Sequence, residues 1–198
     1  GVGCEMDDIL EIANRHGVSV VEDNAHGLFG KYKGKWLGTF GVMASQSFHE
    51  TKNFSCGEGG ALLINADKYI GSSYLPSDVL AAFLFGQLEM REKIQTHRQR
   101  VWEMYQAGLV DWAREHGVSL PVIPPHVGQA WHMFYLLLPG LETRQRFIQH
   151  LRERGVYAVF HYLPLHLSDM GRQFGGQPGD CPVTESVSDR LVRLPFYN

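Results

Sequence analysis

SQSFHETKNFSCGEGG, residues 45–60, continues an apolar, small-residue run at 42–48, passes Ser47, His49 and Lys52, and ends in Gly57, Gly59 and Gly60. Upstream, VSVVEDNAH at 18–26 closes a strongly β-forming run with Glu22, Asp23 and His26. A strand that delivers an acid, followed by a strand that delivers a lysine, is the layout pyridoxal phosphate chemistry needs. The lysine amine condenses with the aldehyde, and a carboxylate keeps the pyridinium nitrogen protonated so that the ring accepts electrons. The same residues have plainer readings: a solvated charge for Lys52, a helix cap or turn acid for Asp23, a surface histidine for His26. Residue type and order leave both open.

Working outward, the pattern predicts alternating helices and strands. Asp7 or Asp8 can cap a helix with Ile9, Leu10, Ile12 and Ala13 on one face and Gly17 past its end. Residues 18–21 read as a buried strand, because β-branched residues crowd it without polar alternation. Helix then buried strand is half of a βαβ unit, which argues for a mostly parallel sheet whose ligands gather beyond the carboxyl ends of its strands. Residues 29–37 read as a hairpin turning at Lys33-Gly34, with Lys31, Lys33 and Lys35 as solvated charges. Strands follow at 43–48 and 60–64, the second also buried. One long helix, capped by Ser77 or Asp78, is expected to run to about Gly108. Beyond the proline-rich 120–125, a small α+β unit is expected: strand 131–138, helix 144–154 stopped by Gly155, strand 156–160 and a last helix at 184–192.

VVEDNAHGLFGKYKGKWLGTFG followed by SFHETKNFSCGEGGALLIN resembles the DegT/DnrJ/EryC1/StrS family of sugar aminotransferases. The match is strong over 18–65 and weaker through HYLPLH and LVRLPFYN. The resemblance implies an α/β, fold type I (aspartate-aminotransferase-like) enzyme: residues 1–108 as the C-terminal part of the cofactor-binding domain with a bridging helix, and 109–198 as the small domain. It implies pyridoxal 5′-phosphate as cofactor, with Lys52 catalytic and holding it, Asp23 on the pyridinium nitrogen, His26 near the phenolic oxygen and Ser47 on the phosphate. His49, His161 and Tyr162 fall on the substrate side. The reaction implied is transamination of a nucleotide-linked 4-keto-6-deoxysugar, dTDP-4-oxo-6-deoxyglucose being the expected one, with glutamate as donor, for cell-surface polysaccharide synthesis. A homodimer is implied, with Ser73 of one subunit on the other's phosphate. There Gly71-Ser72-Ser73-Tyr74-Leu75 stands where the family reads Gly-x-Asn-x-Arg. The family also places a helix and strand between positions matching Ile70 and Gly71, so a segment is expected to be missing there, and the family's first third has no counterpart. Two rivals are weighed: a same-fold dehydratase, which carries histidine where Lys52 stands, and a catalytically silent relative, against which Asp23, Ser47 and Lys52 all argue.

Composition narrows the classes. At 198 residues, 44% hydrophobic and 20% charged, the chain can bury one good core or two small ones. A net charge of -3 gives no electrostatic case for nucleic acid or an anionic membrane surface. No apolar run reaches spanning length, and Cys4, Cys56 and Cys181 are an odd, scattered set that suits a reducing, cytoplasmic compartment. His161 and His166 match no common zinc spacing, so no metal is expected.

Overall fold

The structure, a computed structural model, describes residues 1–69, 71 and 75–197. Ser73, and the expected break at Ile70, lie outside the described residues. The chain divides into two compact units. The first comprises Gly1–Arg100 and Ile123–His132, the second Val101–Val122 and Met133–Tyr197. The expected boundary at 108 and the observed one at 100/101 both fall inside a single helix, and 123–132 returns to the first unit.

In the first unit, helix α1 (Met6–Arg15) precedes strand β1 (Val21–Asp23). Glu5 occupies the cap position without a side-chain cap bond, while Asp7 and Asp8 sit in the first turn, where they favour the helix dipole instead. Hairpin strands β2 (Lys31–Tyr32) and β3 (Lys35–Trp36) follow, then β4 (Met43–Ser47) and β5 (Gly60–Ile64). β4 is central: it pairs parallel with β1 and antiparallel with β5. The expectation of two buried strands fails. Val21 is 63% and Leu62 57% exposed, because β1 and β5 are the edges of a three-stranded sheet.

The hairpin turns at Lys33-Gly34 as read, both residues at positive φ (47° and 82°), the geometry that matches strand twist in a two-residue turn. Its lysines are not merely solvated. Lys33 Nζ pairs with Asp7 at 2.6 Å, and Lys31 and Lys35 lie over the rings of Trp36 and Phe40. β2 also pairs with β6 (Val127–Gly128), and Met6, Tyr32, Leu37 and Val127 form a buried core that ties α1 to the hairpin. The expected long helix is two: α2 (Asp78–Glu89), capped by Ser77, and α3 (Arg91–Glu115), with Met90 capping α2 at the break.

The second unit begins within α3. Trp102, Tyr105 and Trp112 recur at helical spacing, and the first two pack on buried Phe134. Strand β7 (Tyr135–Leu137) is followed by α4 (Leu141–Arg152), β8 (Val159–Phe160), a short 3-10 turn (Leu165–Leu167), α5 (Asp169–Gln173), α6 (Pro182–Arg190) and β9 (Leu191–Arg193). β9, read from sequence as the end of a helix, is the central strand of the order β7-β9-β8. Leu191 and Val192 are buried there, and that burial overrides the helical continuation. Gly155, at φ 76°, stops the chain after α4 as expected. Among the described residues no helix is long and apolar enough to cross a membrane.

Candidate active site

Parallel pairing of β1 and β4 sets Asp23 opposite Ser45, and strand alternation then puts Ser47 on the same face. Asp23 Oδ1 accepts from the Ala25 amide (3.1 Å) and the Ser45 hydroxyl (3.4 Å), which orients an exposed carboxylate at the strand's carboxyl end. Its neighbour has a different task. Glu22 accepts from the amides of Gly38, Phe40 and Gly41 at 2.6–2.8 Å, holding the segment that leads into β4. A turn closed by Gly27 N–H to the Asn24 carbonyl then carries His26.

Lys52 lies in a loop whose ends are tied together: Phe48 N–H bonds Gly59 O, and Cys56 N–H bonds Phe48 O. Lys52's own amide donates to His49 O at 2.9 Å. Immediately beyond it, Asn53 and Phe54 are buried, and Phe54 packs edge-on against Phe29. One small cavity is lined by His26, Ser47, Lys52, Asn53, Phe54 and His132, among others. A larger groove along β1 is lined by Asp23 and again by His26. The structure thus brings an amine, a hydroxyl and an imidazole to one cavity, with a carboxylate in the groove that His26 shares.

His49 is half-buried on the same loop; its Nδ1 meets Thr51 Oγ1 at 3.0 Å, and Nε2 lies 3.7 Å from Glu58. His161 and Tyr162 belong to the second unit. Arg193 contacts His161 Nδ1 at 3.2 Å, and Tyr162, 70% exposed at φ 51°, has its carbonyl bonded by Ser188 Oγ. His166 has an acid beside it, Glu185 at 2.9 Å, from a helix 19 residues further on. That carboxylate also accepts the Gly179 and Cys181 amides, and His166 together with these amides lowers its pKa. Among the described residues no group of three or more His, Cys, Asp or Glu could hold a metal ion.

Two buried side chains that no local sequence pattern marks, His132 and Arg98, support this region. His132 is 8% exposed, its ring stacked on His26 at 4.1 Å, and its Nδ1 lies 2.7 Å from Asn53 Oδ1. Burial first, then the positive charges of its neighbours, lowers its pKa to about 2. Arg98, also buried, donates to the carbonyls of Trp131 (2.8 Å) and His132 (2.6 Å), and burial lowers its pKa to about 10. No local pattern marks these contacts, because the partners lie up to 79 residues apart in sequence.

The fold is of the fold type I, pyridoxal-phosphate-dependent transferase class, as the family match and the likeness to solved aminotransferases show. The chain belongs to the DegT/DnrJ/EryC1/StrS aminotransferase family, whose profile matches residues 1–70 and 66–198. It is similar to an uncharacterised protein of Methanocaldococcus jannaschii, 31% identical over 233 residues, covering 100% of this chain and 60% of that protein. It is 29% identical over 218 residues to the dTDP-3-amino-3,4,6-trideoxy-alpha-D-glucose transaminase of Streptomyces venezuelae, covering 99% of this chain and 56% of that one. Among solved structures, the PLP form of Spr1654 from Streptococcus pneumoniae matches with a TM-score of 0.88 at 20% identity, over 99% of this chain and 61% of its own, a likeness of fold. The chain therefore spans about 60% of the length of the curated relatives it matches. Pyridoxal 5′-phosphate is the cofactor of this family, and the donor set at the cavity fits it.

Proposed function

We propose that this chain forms the lysine-bearing part of an aminotransferase acting on a nucleotide-linked 4-keto-6-deoxysugar, with glutamate as amino donor, in cell-surface polysaccharide synthesis. The observation that carries the reading is the meeting of His26, Ser47 and Lys52 on one cavity, beside the β1 groove that His26 and Asp23 line. The named activity of the Streptomyces relative, a transaminase of a dTDP-linked deoxysugar, supports a nucleotide-linked deoxysugar as substrate. When bound, pyridoxal phosphate supplies an aldehyde for amine exchange and an electron sink for the carbon that loses its proton.

The residues divide that work. With the cofactor bound, Lys52 Nζ would hold its aldehyde carbon and would move the proton at the reacting carbon. Asp23 would accept a hydrogen bond from the ring nitrogen and hold its proton there. His26 would stand toward the phenolic oxygen, and the Ser47 hydroxyl would donate to phosphate. On the substrate side stand His49, His161 and Tyr162.

The assembly is a cytoplasmic homodimer. α2 supports the pairing: it is apolar on all sides, buries none of its residues in the chain, and leaves Val79, Phe83 and Phe85 exposed, as a helix covered by a partner would. A segment missing between residues 70 and 71 agrees with the family match falling in two pieces that join at 66–70.

Lys52→Ala tests the reading. The variant should fold, since a loop lysine adds little to the core, yet lose the near-visible band that borohydride bleaches and all transamination. Substantial transamination by Lys52→Ala would refute the mechanism.

A further inference from the structure

Lys52 is a long, flexible side chain on an irregular loop, yet the residue after it is among the most tightly held in the first unit. Asn53 Nδ2 donates to the carbonyl of Ala130, itself fully buried. A carbonyl only accepts, so the amide's orientation is fixed and its Oδ1 faces His132 Nδ1. His132 Nδ1 must therefore carry a proton. The depressed pKa agrees, keeping the ring neutral with its lone pair on Nε2. The backbone on which His132 stands is held in turn. Trp131 adopts a left-handed conformation (φ 53°) that a bulky residue rarely takes, and the buried Arg98 guanidinium binds the carbonyls of both Trp131 and His132. One continuous path of short polar contacts thus runs from α3, through 131–132 and the imidazole, to the residue that follows Lys52. The opposite use of the same imidazole is its face, which stacks on His26 at an 18° angle.

We infer that His132 is a positioning residue. Its Nδ1–H holds Asn53, and so the Lys52 loop, while its ring face sets the plane of His26, so that amine and imidazole reach the cofactor in a fixed relation. The inference deepens the functional reading, since it gives Lys52 and His26 the roles proposed above. It does not depend on any group that the chain lacks. His132 acts through Asn53 and His26.

Two substitutions separate the parts of this arrangement. His132→Phe keeps a ring to stack on His26 but removes the donor to Asn53. His132→Asn keeps a donor at nearly the same distance from the backbone as Nδ1 and removes the ring. Hydrogen exchange of the full chain without cofactor reads the loop directly. In His132→Phe, amides at 50–56 should exchange about tenfold faster than in the native chain, while those of β4 and β5 stay within about twofold, as expected for loss of one buried hydrogen bond. His132→Asn should return the loop to native exchange. Asn53→Ala should loosen the loop similarly, and adding His132→Phe to it should change little more, because the two remove one contact. Should His132→Phe not fold, Asn53→Ala and its pairing with His132→Asn give the same comparison: the conservative imidazole replacement then has nothing left to hold, and loop exchange should equal that of Asn53→Ala alone. Unchanged loop exchange in the donor-less variants would overturn the inference. So would uniform acceleration across the first unit without rescue by His132→Asn, the mark of a merely structural residue. Capture of pyridoxal phosphate by the native chain is measured separately. If the native chain captures none, the functional reading falls while the loop result stands on its own.

Discussion

His132 gives the sharpest pH prediction. A histidine in the unfolded chain titrates near 6.5, whereas burial and its charged neighbours lower this one to about 2 in the folded protein. The folded pKa lies below the unfolded one, so below pH 6.5 the unfolded chain takes up a proton that the native chain refuses. Stability from this residue is therefore complete above 6.5 and is lost progressively as pH falls toward 2. The slope is about 1.4 kcal/mol per pH unit, so moving from pH 7.5 to pH 4.5 should cost about 2–3 kcal/mol through this side chain alone. The groups facing the ring are His26, the Gly1 amine, Arg98, Lys52 and Asn53, and all are retained in His132→Phe. Urea unfolding followed by tryptophan fluorescence at both pH values should show the native chain losing about 2–3 kcal/mol more than His132→Phe. At pH 7.5 the native chain should be the more stable, by about 1–3 kcal/mol for the donor withdrawn from buried Asn53, and the two curves should converge on acidification. The tautomer offers an independent check: nitrogen-15 spectra should show the proton on Nδ1 and a bare Nε2 from pH 7.5 down to 4.5. Curves that stay parallel within about 0.5 kcal/mol, near the ordinary scatter of such comparisons, would refute the assignment of a buried neutral imidazole.

Three further outcomes follow from the geometry. Asp23→Asn keeps shape and hydrogen bonding but loses the charge that favours a protonated ring nitrogen; cofactor should still bind while turnover falls by orders of magnitude, and steady-state rates decide it. Glu22→Gln turns an N–H donor toward at least one of the three amides that Glu22 now accepts, and should cost about 2 kcal/mol in unfolding free energy with the cofactor band unchanged. Gly34→Ala should cost about 1 kcal/mol purely through backbone strain, since an added methyl there meets nothing within 4 Å and φ is 82°; thermal unfolding measures it.

Local sequence was enough wherever the deciding interaction lies within a few residues. The Lys33-Gly34 turn, the Ser77 cap, the Gly155 stop and the shared face of Ser45 and Ser47 are all set by backbone preferences and strand alternation. The order acid-strand, lysine-strand, glycine loop was likewise legible, because it is written in consecutive residues. What the sequence could not announce is which elements would be covered. The runs 18–21 and 60–64 have buried-strand composition, yet only Val21 of the first enters a strand and both β1 and β5 lie at sheet edges, while 191–192, which read as the end of a helix, joins the middle strand because two others pair with it. Nor could it show that Glu22, not only Asp23, has a fixed task, or that a histidine in the run WHMFYLLL would meet Asn53 and His26. Those pairings depend on folding distant segments together. A buried polar group has no sequence signature of its own, because its partners are chosen by the packing that removes it from water.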